Sequence, residues 1–130
     1  MSKSYGFGKT VDRSFDDAVD RVTEALKGEG FGVLTEIDVA GTLKKKLGKE
    51  MRPYKILGAC NPQLASRALE AEPSIGLLLP CNVVVRELEA GRSCVEFMDP
   101  NAVLDLVGRP EIADLAGEVR ARLDRVLNAL

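Results

Sequence analysis

Residues 52–82 read RPYKILGACNPQLASRALEAEPSIGLLLPCN, and the order of elements in this stretch decides the fold. Pro53 to Ala59 alternates and is rich in strand formers, which predicts a strand. Asn61 followed by Pro62 is a helix start: asparagine caps free first-turn amides, and proline tolerates the first position because its missing N–H would be unpaired anyway. The helix is expected to run to about Ala71, with Leu64, Ala65, Ala68 and Leu69 on its inner side. Glu72-Pro73 then stops it. The apolar run Ile75 to Leu79, ending in Pro80, suggests a buried strand bent at the proline, which cannot donate to a ladder.

Two of the three cysteines fall in this stretch, each followed by asparagine. Cys60 sits where strand passes into helix. Helix N-termini carry partial positive charge and unpaired N–H groups, which stabilise a thiolate. Cys60 is therefore the candidate reactive thiol, against the alternative of a small apolar residue packed in a tight junction. Cys81, at the irregularity after Pro80, is the candidate partner thiol. Cys94, within Ser93-Cys94-Val95-Glu96-Phe97, reads as an ordinary strand residue.

Outward from this centre, Tyr5 to Val11 predicts a first strand. Its Gly6-Phe7-Gly8-Lys9-Thr10 lacks the spacing of a phosphate loop, so the glycines point to a bulge or close packing. Ser14 and Asp17 form a capping-box variant opening a helix to about Lys27, with Phe15, Val19, Val22 and Leu26 on one face. Gly28 and Gly30 end it. Phe31 to Ile37 predicts the second strand, and Asp38 caps a short helix ended by Gly48. Lys44, Lys45, Lys46 and Lys49 make the one basic cluster: a solvated face, or with Arg52 and Lys55 an anion clamp near the thiol. Asn82–Leu88 and Ser93–Met98 predict a hairpin around Gly91. Asp99-Pro100 opens a short helix to about Val107. From Pro110 a terminal helix carries Ile112, Leu115, Ala116, Val119, Leu123, Val126, Leu127 and Leu130 as one apolar stripe, either core or dimer surface.

Three segments resemble the bacterial and archaeal domain-of-unknown-function 302 family: YKILGACNP, LASRALEAEPSIGLLLPCN and VLTEIDVAGTLKKKLGKEMRPY. The likeness extends from about Tyr5 to Asp99. The resemblance implies an α+β domain related to the TATA-binding-protein fold, with a curved antiparallel sheet, helices on one face, and a homodimer. It implies no established activity. The expected architecture is one compact domain over residues 1–130: a mainly antiparallel five-stranded sheet in a β-α-β(4)-α core with short inserted helices. Mixed rather than strictly alternating elements favour α+β.

Composition narrows the function. The chain has 130 residues, enough for one self-sufficient core, with ordinary apolar (45%) and charged (29%) fractions. Few aromatics, no tryptophan and a net charge of -2 argue against nucleic-acid binding. No run is long enough to cross a membrane, and MSKSYGFGKT lacks a signal-peptide core. With three cysteines, an odd number, a cytoplasmic location is expected. The absence of histidine removes Ser-His-Asp and Cys-His catalysis and histidine-ligated zinc, and three cysteines cannot close a four-cysteine zinc site. No cofactor or metal is expected. Carboxylates converge on no spacing for hydrolysis, and phosphoryl-transfer and nicotinamide signatures are missing.

Three roles remain. One is a sulfur-handling or redox protein using Cys60, with Cys81 as partner and Arg52 or Lys55 supplying positive charge for a small sulfur-containing or anionic ligand. Another is a non-catalytic module holding a small hydrophobic or anionic ligand against Cys60, Asn61, Cys81 and Asn82. The last is a structural homodimer in which both cysteines merely pack.

Overall fold

The computed structural model describes residues 2–130. Strands β1 (Ser2–Lys3), β2 (Gly6–Val11), β3 (Gly32–Asp38), β4 (Tyr54–Cys60), β5 (Cys81–Glu89) and β6 (Arg92–Met98) form one sheet in the order β1-β2-β6-β5-β4-β3, antiparallel throughout. The five expected strands are all present, and the two-residue β1 adds an edge ribbon beside β2. Helices are α1 (Phe15–Gly28), α2 (Val39–Leu47), α3 (Pro62–Ala71), α4 (Pro100–Val103) and α5 (Pro110–Asn128). The β-α-β(4)-α order of an α+β domain results, with short helices inserted between strands.

Local chemistry sets the helix ends. The Ser14 side chain accepts from Asp17 N, Asp38 from Gly41 N, Asn61 from Leu64 N and Asp99 from Asn101 N. Each supplies an acceptor to a first-turn donor that lacks an intrahelical partner. Gly48 and Gly108 end their segments with φ of 67° and 70°, a left-handed conformation that side chains resist.

Pairing across the sheet stacks one core layer. Phe7 faces Phe97, Phe97 faces Val83, and Val83 faces Leu57, so four strands place a buried side chain in one row beneath the helices. Each such burial contributes about 1.5–3 kcal/mol. From the other side come Val22 and Leu26 of α1, Leu64 and Ala68 of α3, and Ile112, Leu115, Val119, Leu123 and Val126 of α5. The terminal stripe is therefore core. Arg120 anchors α5 by pairing with Asp99 at 2.7 Å and lying 3.7 Å from the Phe7 ring centre. Gly8 permits close backbone approach rather than a bulge: a Cβ there would collide with Val95 O and lie 2.7 Å from Glu96 Cα, while the β2–β6 register runs unbroken.

One expectation is corrected. Residues 75–79 are not a strand; Pro73–Leu78 forms a 3-10 turn, and β5 begins only at Cys81. Ile75 is 1% exposed and Leu77 88%, so the run does not bury both faces of a strand. Glu72 caps Ser74 N, with Pro73 in the first position. A short apolar run carries no periodicity that separates the two conformations.

Candidate functional site

The end of β4, the start of α3 and the turn before β5 enclose a cavity of about 360 Å³. Its buried wall includes Phe31, Ala59, Leu64, Ala68, Leu115 and Val119, and both Cys60 and Cys81 open into it. The four residues expected on the inner side of α3 (Leu64, Ala65, Ala68 and Leu69) all line it. Gly58 lets the cavity close at the strand end, because a Cβ there would meet Thr35 Oγ1 and lie 2.8 Å from Pro80 Cγ.

The polar groups at this place are few and largely engaged. Asn61 Oδ1 accepts from Leu64 N at 3.3 Å, and its Nδ2 donates to Glu29 O at 3.4 Å. Pro62 has no N–H, and Ala65 N donates to Asn61 O. Asparagine thus takes up donors that a thiolate at Cys60 would need. The sequence argument expected the helix start to lower the Cys60 pKa; instead burial pushes the half-buried Cys60 thiol up. Cys81, buried, is pushed up from 9.0 to about 11, first by burial and then by the charge Cys60 would carry. Removing a thiolate from water is unfavourable where no charge or donor compensates. At neutral pH both sulfurs are protonated, polarisable and nearly apolar wall groups.

Register sets the two thiols one position apart at the end of the β4–β5 pair, where both open into the cavity. Cys81 pairs with Ala59, and Cys60 with Gly32. Ala59, not Cys60, is therefore the residue directly opposite Cys81. None of Cys60, Cys81 and Cys94 is in a disulfide.

The other candidates lie elsewhere. Arg52 pairs with Glu87 at 3.1 Å. Lys55 pairs with Glu36 at 2.6 Å and lies 5.9 Å from the Phe15 ring centre, with Glu36 holding its pKa above the usual value. Lys55 and Cys60 are five residues apart on β4, roughly 16 Å at about 3.3 Å per residue. Lys44 pairs with Glu50, also at the Lys55 end. The anion clamp near the thiol is not formed. Asn82, opposite Gly58, is exposed and lines a separate cavity of about 340 Å³ with Tyr5, Tyr54, Glu96 and Met98. The two asparagines therefore do not converge on one ligand.

Sequence reasoning missed Leu34, Thr35, Leu79, Leu104, Leu115 and Val119 as cavity residues. For Leu115 and Val119 the only signal was membership of the α5 stripe, which says buried without saying against what. Among the described residues, no helix is long and apolar enough to cross a membrane, and no group of three or more potential ligands could hold a metal ion.

Comparison with known proteins adds kinship without an activity. Residues 7–130 match the family model described as "Domain of unknown function DUF302". The crystal structure of an uncharacterized conserved protein DUF302 from Bacillus stearothermophilus is similar at a TM-score of 0.88 and 31% identity, covering 96% of this chain and 97% of that one. No curated protein matches the chain in sequence.

Proposed function

The chain belongs to the DUF302 family, and we propose that its role is to bind a small apolar ligand in the cavity shared by Cys60 and Cys81. The observation that carries this reading is the wall itself. It is built from aliphatic side chains and Phe31, two thiols pushed toward their neutral form, one threonine, and an asparagine whose amide is engaged at both ends. Such a wall offers dispersion contacts and little else. An ionised ligand group inside it would lose its hydration without replacement. The volume lies at the small end of ligand cavities, which run roughly 300–1,000 Å³.

The test is fluorescence titration of the purified chain with the neutral probe 1-aminoanthracene, beside native mass spectrometry of protein from its own host. Ala65→Phe places a large ring in a half-buried position of the wall. It is expected to weaken probe binding tenfold or more while leaving the thermal transition close to that of the parent. Equal affinity in parent and variant sinks the proposal.

A second reading, thiol chemistry at Cys60 with Cys81 as partner, draws support from their opening into one cavity. It requires a Cys60 alkylation profile titrating below a free thiol, assigned with Cys60→Ser and Cys81→Ser. A profile at or above the free-thiol value removes it. Homodimerisation is supported by the row Ile37, Ile56 and Val84, paired across β3, β4 and β5 and partly exposed on the sheet face away from the core helices. Sedimentation equilibrium checks it, and a monomer at micromolar concentration speaks against it.

A further inference from the structure

The apolar surface of the cavity continues past its mouth. Leu34 and Leu69 belong to the lining yet are 68% and 43% exposed, and Leu77, 88% exposed, follows the lining residue Gly76. Each comes from a separate element. Leu34 is the extra residue of a bulge, since Val33 pairs with Ala59 and Thr35 with Gly58, which leaves it outside the ladder. Leu69 lies one position beyond the buried Ala68 on α3. Leu77 projects from the 3-10 turn between Gly76 and Leu79, both lining residues. Scattered exposed leucines are ordinary, but leucines gathered beside an apolar cavity mark a surface used in binding.

Polarity along this path changes in one direction. No charged side chain lines the cavity, and the Asn61 amide is engaged at both ends. Thr35, an exposed residue, brings a hydroxyl able to meet a polar ligand atom to the lining. We infer that the ligand is a linear aliphatic chain with its polar group at one end. It enters tail first, toward Leu115 and Val119, and lays its outer methylenes on Leu34, Leu69 and Leu77 with the polar end in water. This inference rests on the cavity being a binding site, and it names the class of molecule bound there.

Displacement of 1-aminoanthracene from the full chain by straight-chain primary alcohols of six to twelve carbons tests it. Affinity is expected to rise about fourfold per added methylene, the increment for burying one CH2. The double variant Leu34→Asn/Leu77→Asn changes only exposed positions. Its ratio of hexyl to dodecyl affinity is expected to shift at least tenfold toward the hexyl alcohol relative to the parent. An affinity plateau at the same chain length in parent and variant overturns the inference, as does tighter binding of cyclic or branched alcohols of equal carbon number. In either case bound 1-aminoanthracene leaves the cavity a binding site for a compact molecule. Failure of probe and alcohols alike overturns both readings.

Discussion

Raising the pH is the most direct perturbation of the cavity, because one of its wall groups titrates. Cys81 ionises at its ordinary 9.0 when unfolded and at about 11 when folded, since burial and the neighbouring Cys60 oppose its charge. Between those values the folded thiol keeps its proton while the unfolded one releases it. The unfolded state then binds fewer protons, so stability falls as pH rises. The contribution is intact below pH 9 and lost progressively toward pH 11. At about 1.4 kcal/mol per pH unit, the loss is about 1 kcal/mol at pH 10 and about 2 kcal/mol at pH 11. To isolate the Cys81 contribution, the assay compares urea unfolding of the parent and Cys81→Ala under reducing conditions from pH 7.5 to 10.5. The variant starts less stable, having lost buried sulfur contacts, and its curve is expected to fall less steeply above pH 9. Parallel curves would show that the cavity tolerates a thiolate at Cys81. The argument for a neutral apolar wall would then collapse, and thiol chemistry would become the better reading.

Other expectations follow from single contacts. Asn61→Ala removes the cap on Leu64 N and the bond to Glu29 O, a loss of about 1–2 kcal/mol by urea midpoint. Probe affinity should stay the same, because the amide serves the fold; a loss of affinity at unchanged stability would make Asn61 a ligand contact after all. Gly8→Ala forces a Cβ into Val95 O and Glu96 Cα across the β2–β6 pair, and about 2 kcal/mol of destabilisation is expected, since backbone cannot step aside. Arg120→Met removes the pairs with Asp99 and Asp124 and the contact over Phe7. With part of the guanidinium in solvent the loss is about 1 kcal/mol, smaller at high salt. A salt-independent loss would assign the effect to packing alone.

The elements were legible in the sequence because their causes are local. Ser14, Asp38, Asn61 and Asp99 each satisfy a donor within three residues, and each begins the helix expected of it. The α5 stripe carries a 3.6-residue period that only a helix lays on one side. The strand formers of β2, β4 and β6, with the hairpin at Gly91, required no distant partner to be read. Even the inner side of α3 was readable from Leu64, Ala65, Ala68 and Leu69, although not what those residues enclose.

What faces what was decided only in three dimensions. Antiparallel pairing set Cys81 across from Ala59 and one position from Cys60, an offset that no spacing between positions 60 and 81 records. Extension along β4 carried Lys55 to the far end of the strand from Cys60, into its pair with Glu36. The bulge at Leu34 set an exposed leucine in the lining of a cavity whose back wall comes from α5, some fifty residues further along the chain than Cys60 and beyond. Periodicity and capping are properties of neighbours in sequence, whereas a cavity belongs to residues that meet only when helices and sheet close on one another.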